Sequence, residues 1–168
     1  MFWLGRSTLA ALLVVAAGCG SGGDDDAAEG DLEGSVSCTS DPRLDAYSGT
    51  LEKAGELGAL SFHFSNFAPE QPSRGNNTFH VQVVDASGTA VSGDGADPAY
   101  VSLGVSLFMP DHGHGTSVEP AVTFGAGQYT LAPLYLFMPG VWRIELDAQA
   151  GDAGEMLDRV VLHFCVEG

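Results

Sequence analysis

The stretch Val101-Ser102-Leu103-Gly104-Val105-Ser106-Leu107-Phe108-Met109-Pro110 sets apolar side chains at Val101, Leu103, Val105 and Leu107 and ends on a proline. Period two marks a strand with one buried face, and proline ends the ladder because it has no N–H to donate. The same alternation recurs on both sides of it. Upstream, Leu60 to Phe67 places Phe62 and Phe64 on one face and His63 on the other, while Phe79, Val81 and Val83 alternate with His80 and Gln82. Asp85-Ala86-Ser87-Gly88 reads as a turn. Downstream, Ala121 to Phe124, a Gly125-Ala126-Gly127 turn, Gln128 to Leu131, Leu134 to Met138, Trp142 to Leu146 and Arg159 to Val166 complete the set. Helical periodicity is not sustained beyond the first residues. Seven to eight short strands in about 125 residues predict one all-β domain, a two-sheet antiparallel sandwich.

The N-terminal residues have a different character. Arg6 precedes the apolar run Leu9 to Ala17, which is too short to span a bilayer, and Ala16-Ala17-Gly18-Cys19 resembles a bacterial lipobox. Residues 1–18 therefore read as a lipoprotein signal peptide and Cys19 as the lipidated residue, with ordinary signal-peptidase cleavage as the alternative. Residues 19–37, rich in Gly, Ser, Asp, Glu and Ala, read as a flexible acidic tether, leaving residues 38–168 as the folded domain. The expected location is the bacterial cell envelope, on the periplasmic or outer surface, with the membrane reached through the lipid anchor.

Loss of the signal leaves 5 basic against 22 acidic residues, a formal charge of −17. That balance argues against nucleic acid, whose phosphates need basic patches. It raises the local concentration of cations, although a solubilising surface accounts for it equally well. Two cysteines remain beyond Cys19, and an even pair in an exported chain reads as a disulfide between Cys38 and Cys165. Two thiolate metal ligands are the alternative.

The loop after the opening strand carries the chemistry. Phe108-Met109-Pro110-Asp111-His112-Gly113-His114-Gly115-Thr116 crowds one thioether and two imidazoles together, and a second triplet, Phe137-Met138-Pro139, offers another sulfur. Thioether and imidazole suit copper(I), and imidazole with oxygen suits copper(II), so Met109, His112, His114 and Met138 form a candidate copper site, with zinc the second choice. In an extended loop, His112 and His114 project to the same side, and Asp111 could accept a ring N–H behind them. The bland alternative is equally concrete: methionines at strand ends fill gaps in cores, and loop histidines are commonly solvated. His63, His80 and His163 sit within strands, where satisfied or exposed histidines are commoner than ligands.

Gly75-Asn76-Asn77-Thr78-Phe79 followed by Val81, Val83, Asp85, Gly88 and Val91, then the Phe108-Met109-Pro110 loop and Phe137-Met138-Pro139-Gly140-Val141-Trp142, resembles the YtkA-like and FixH-related domain family over roughly residues 57–166. The resemblance implies an immunoglobulin-like sandwich outside a bacterial cytoplasmic membrane. FixH proteins are linked to copper supply and terminal-oxidase assembly. They carry a transmembrane anchor where this chain has a lipobox.

Catalytic signatures are missing from the sequence. There is no Gly-Xaa-Ser-Xaa-Gly elbow, no HExxH pair, no carboxylate pair singled out by context and no glycine-rich loop before a helix. The expectation is a non-enzyme that binds or delivers copper. The competing expectation is a structural or protein-interaction module with no metal site, acting on an envelope protein partner.

Overall fold

The computed structural model describes residues 37–152 and 154–168. The signal peptide at 1–18, Cys19 and all but the last residue of the 19–37 tether lie outside them. The described residues form nine strands: β1 (Thr50–Ala54), β2 (Leu60–Ala68), β3 (Gly75–Asp85), β4 (Val101–Met109), β5 (His114–Gly115), β6 (Ala121–Gly125), β7 (Gln128–Leu136), β8 (Gly140–Ala150) and β9 (Met156–Val166). One sheet has the order β1-β2-β3-β7-β6 and the other β5-β4-β8-β9, with neighbouring strands antiparallel throughout. This is the expected immunoglobulin-like antiparallel β-sandwich, with nine strands rather than seven to eight.

The inward faces are those the alternation assigns. Phe62, Phe64, Phe79, Val81 and Leu131 from the first sheet meet Leu103, Leu107, Trp142, Ile144 and Leu162 from the second in one core. The strand count differs for three local reasons. Strand β1, Thr-Leu-Glu-Lys-Ala, has only Leu51 to pack inward and forms through pairing with β2 rather than through a pattern of its own. Strand β5 is two residues long. Gln128 to Leu131 and Leu134 to Met138 are mostly one strand, β7, because Pro133 falls beyond the end of β6 and at a register shift against β3, where no ladder N–H is required of it.

Residues 38–45 lie along the open edge of β9. The Asp45 backbone N–H donates to the His163 carbonyl at 3.0 Å, and the His163 N–H donates to Asp45 Oδ2 at 2.8 Å. Lys53 Nζ pairs with Asp45 Oδ1 at 2.6 Å. Cys38 and Cys165 are joined, as the pairing rule expects, with Cα atoms 5.5 Å apart across a separation of 127 residues. A closure of that length stabilises by about 4 to 5 kcal/mol on chain-entropy grounds. It also shields an edge that would otherwise be free to pair with another chain.

A buried carboxylate ties the two sheets at the other end. Asp158, on β9 and fully buried, accepts backbone N–H groups from Leu57, Ala59, Leu60 and Arg159, each at 2.8 Å. Gly55 makes room for it, since a Cβ there would sit 2.2 Å from the carboxylate. Burial pushes this carboxyl up, but the four backbone donors outweigh burial and hold it below the ordinary aspartate value. A carboxyl lowered on folding contributes stability that is full above the unfolded value of about 3.9 and is lost as pH falls through the lower folded value. Asp158→Ala is therefore expected to lower the unfolding free energy by about 2 to 3 kcal/mol at neutral pH, because it leaves the buried Leu60 N–H and three part-buried backbone donors without their acceptor. In chemical denaturation at stepped pH, the deficit should shrink below pH of about 4. A deficit that stays constant down to pH of about 2 would contradict the assignment.

Candidate functional site

The expected loop is a tight hairpin rather than an extended segment. The Met109 carbonyl accepts N–H groups from both His112 at 3.2 Å and Gly113 at 2.9 Å, which folds Pro110 to Gly113 into a turn. Gly113 has φ of +72°, a conformation that glycine adopts without strain. The returning strand β5 then places His114 opposite Met109 and Gly115 opposite Phe108. Residues directly opposite in an antiparallel pair share a face, so His114 stands beside Met109 at the rim of the core.

Met109 is fully buried, His114 is half-buried and His112 is exposed. The two imidazole centroids are 5.8 Å apart. Two imidazoles bound through nitrogen to one ion have centroids about 5 to 6.5 Å apart, given metal–nitrogen bonds of about 2.0 Å, so these rings can share an ion. His114 Nδ1 lies 3.2 Å from the Gly115 carbonyl. A carbonyl only accepts, so Nδ1 carries the proton and Nε2 keeps the lone pair that a metal requires.

The second triplet lies against this hairpin. Phe137, Met138 and Pro139 cross from β7 in one sheet to β8 in the other. The Phe137 ring stacks on His114 with centroids 5.5 Å apart and planes 23° apart, and it meets Trp142 edge-on at 5.6 Å. The Trp142 indole N–H donates to the Met138 carbonyl at 2.9 Å, fixing the crossover. At Gly140, with φ of +129°, a Cβ would sit 2.8 Å from Met109 Cε and 3.7 Å from His112 Nε2. Those two atoms therefore lie within 6.5 Å of each other, the sum of the two distances. The structure thus gathers Met109, His112 and His114, with Met138 half-buried on the adjoining crossover and packed against the core.

Asp111 does not serve the imidazoles in the way the sequence suggested. Both its oxygens are taken by Arg43, at 2.8 Å from Nη1 and 2.7 Å from Nη2. Arg43 also pairs with Asp41, whose carboxyl is drawn down to about 2, chiefly by hydrogen bonds from the Arg43 side chain and backbone. His63, His80 and His163 stay apart: His63 faces Gln82, His80 faces Ser65 and sits 3.1 Å from Thr130 Oγ1, and His163 faces Arg143. Among the described residues no group of three or more His, Cys, Asp and Glu side chains could hold a metal. A site here needs the thioethers to complete it.

Sequence reasoning missed Arg43 and Gly140. Gly140 had a signal, since it stands between the second Met-Pro pair and a tryptophan. Gly140→Ala is expected to destabilise the fold by about 1 to 3 kcal/mol, since it forces an L-residue to positive φ and drives a methyl group toward Met109. Thermal or denaturant unfolding reads this directly, and wild-type stability would contradict the close approach.

A model of the family described as YtkA-like matches residues 59–147. No curated protein matches the chain. Among solved structures, the chain is similar to a copper-bound variant of FetP from uropathogenic Escherichia coli strain F11, at 8% identity and a TM-score of 0.45, covering 71% of this chain and 96% of that one. It is similar to a DUF4426 family protein from Pseudomonas aeruginosa PAO1, at 17% identity and a TM-score of 0.44, covering 73% and 97%. A further FetP structure from the E. coli F11 strain, of the protein as isolated after expression in the periplasm, matches at 12% identity and a TM-score of 0.40, covering 73% and 99%.

Proposed function

The chain belongs to the YtkA-like family, and on that footing we propose that it is a lipid-anchored β-sandwich of the bacterial cell envelope that binds copper through Met109, His112, His114 and Met138. The observation that carries this reading is the meeting of the two Phe-Met-Pro segments, which puts two imidazoles 5.8 Å apart beside a buried thioether. Copper is the first choice because sulfur and imidazole together suit it in both oxidation states. Anchoring is assigned to Cys19 from its lipobox, and the acidic tether after it would let the domain stand clear of the headgroups.

The ligands divide the work by their burial. Met109 belongs to the core and His114 is held by its bond to the Gly115 carbonyl and by Phe137, so both are fixed. His112 is exposed on the turn and is the ligand best placed to meet an incoming ion and to release it to a partner. Copper is cargo in this account, held and passed on by ligand exchange, and the protein performs no chemistry on an organic substrate.

Titration of the purified protein with copper(I) and copper(II) against a competing chelator tests this, with a His112→Ala, His114→Ala double variant alongside. The double variant is expected to bind copper(I) at least about 100-fold more weakly, as loss of two of the ligands requires. Equal, weak binding by both proteins would leave the structural or protein-interaction role as the better account.

A further inference from the structure

Asp111 is the one hard, anionic donor within the hairpin turn, and it immediately precedes His112. Asp111, His112, Gly140 and Val141 border one open depression, whose far wall is the N-terminal segment at Ser37, Cys38, Ser40 and Asp41. The Asp111 carboxylate stays out of use there because Arg43 grips both of its oxygens in the parallel, two-bond geometry that guanidinium favours.

Arg43 is itself held in place. Its Nε donates to Asp41 Oδ1 at 2.9 Å, its Nη2 donates to Asp41 Oδ2 at 2.6 Å, and its backbone N–H donates to Asp41 Oδ1 at 2.8 Å. The Asp41 N–H in turn donates to the Cys38 carbonyl at 3.0 Å, next to the Cys38–Cys165 bridge. The clamp on the turn is thus carried by a segment bonded covalently to the last strand.

We infer that Arg43 sets the metal preference of the site by keeping Asp111 out of it. The inference rests on the reading of Met109, His112 and His114 as ligands. With Asp111 withheld, those ligands are two neutral imidazoles and a thioether, a soft and uncharged set that favours copper(I) over harder divalent ions. Removing Arg43 would free a carboxylate beside His112 and change the Asp41, Asp111 and Arg43 group from a net charge of −1 to −2. A divalent ion gains twice what a monovalent ion gains from each such charge.

The test uses the whole mature protein and two variants, Arg43→Gln and Arg43→Gln with Asp111→Asn. Copper(I) and zinc(II) affinities are each measured by chelator competition, and thermal unfolding confirms that every variant is folded. Arg43→Gln is expected to bind zinc(II) roughly 10- to 100-fold tighter, the usual scale for a change next to metal ligands, with a smaller change for copper(I). The added Asp111→Asn change is expected to cancel that gain. An unaltered copper(I) to zinc(II) ratio in folded Arg43→Gln overturns the inference, as does a gain that survives Asp111→Asn. Failure of the wild type to bind copper(I) would instead overturn the ligand reading on which it stands.

Discussion

The buried indole of Trp142 is the constraint on which the site depends. A fully buried tryptophan needs a partner for its N–H, and here that partner is the Met138 carbonyl on the crossover between the sheets. The bond holds Phe137 against the edge of the indole, and Phe137 in turn supplies the flat surface on which His114 stacks. Two residues before Trp142, Gly140 has no side chain, and Met109 and His112 close into that space. The demand of one core side chain thus positions groups from both Phe-Met-Pro segments.

Period-two alternation made the inward faces of β2, β3 and β4 legible, because each has a long enough run to show which side is apolar, and it marked β8 and β9 as strands. Strands β1 and β5 were not legible. The first has one inward apolar residue and the second has two residues in all, so their existence is a property of pairing rather than of local pattern. The separate reading of Gln128 to Leu131 and Leu134 to Met138 erred in the opposite direction, since Pro133 between them falls where the ladder has already shifted and does not end the strand.

At the site, residue types were legible and geometry was not. Met109, His112 and His114 stand close in sequence, so one loop can gather them, but the tight turn that does so was not legible. That Gly140 would complete their packing depends on a strand register set far away. Arg43 is 68 residues from Asp111, and a long-range ion pair has no local pattern. The disulfide was legible for a different reason, because counting cysteines beyond the expected lipidation residue Cys19 leaves one pair.

Burial gives the candidate site a direction. Its sulfur side is sealed in the core at Met109, while its imidazole side opens to solvent at His112, where a partner could reach an ion. In the proposed site one copper ion is shared between these two sides. X-ray absorption at the copper edge of the copper(I)-loaded protein tests it most directly. Sulfur and imidazole scatterers are expected in the same first shell. A shell of nitrogen and oxygen alone would contradict it.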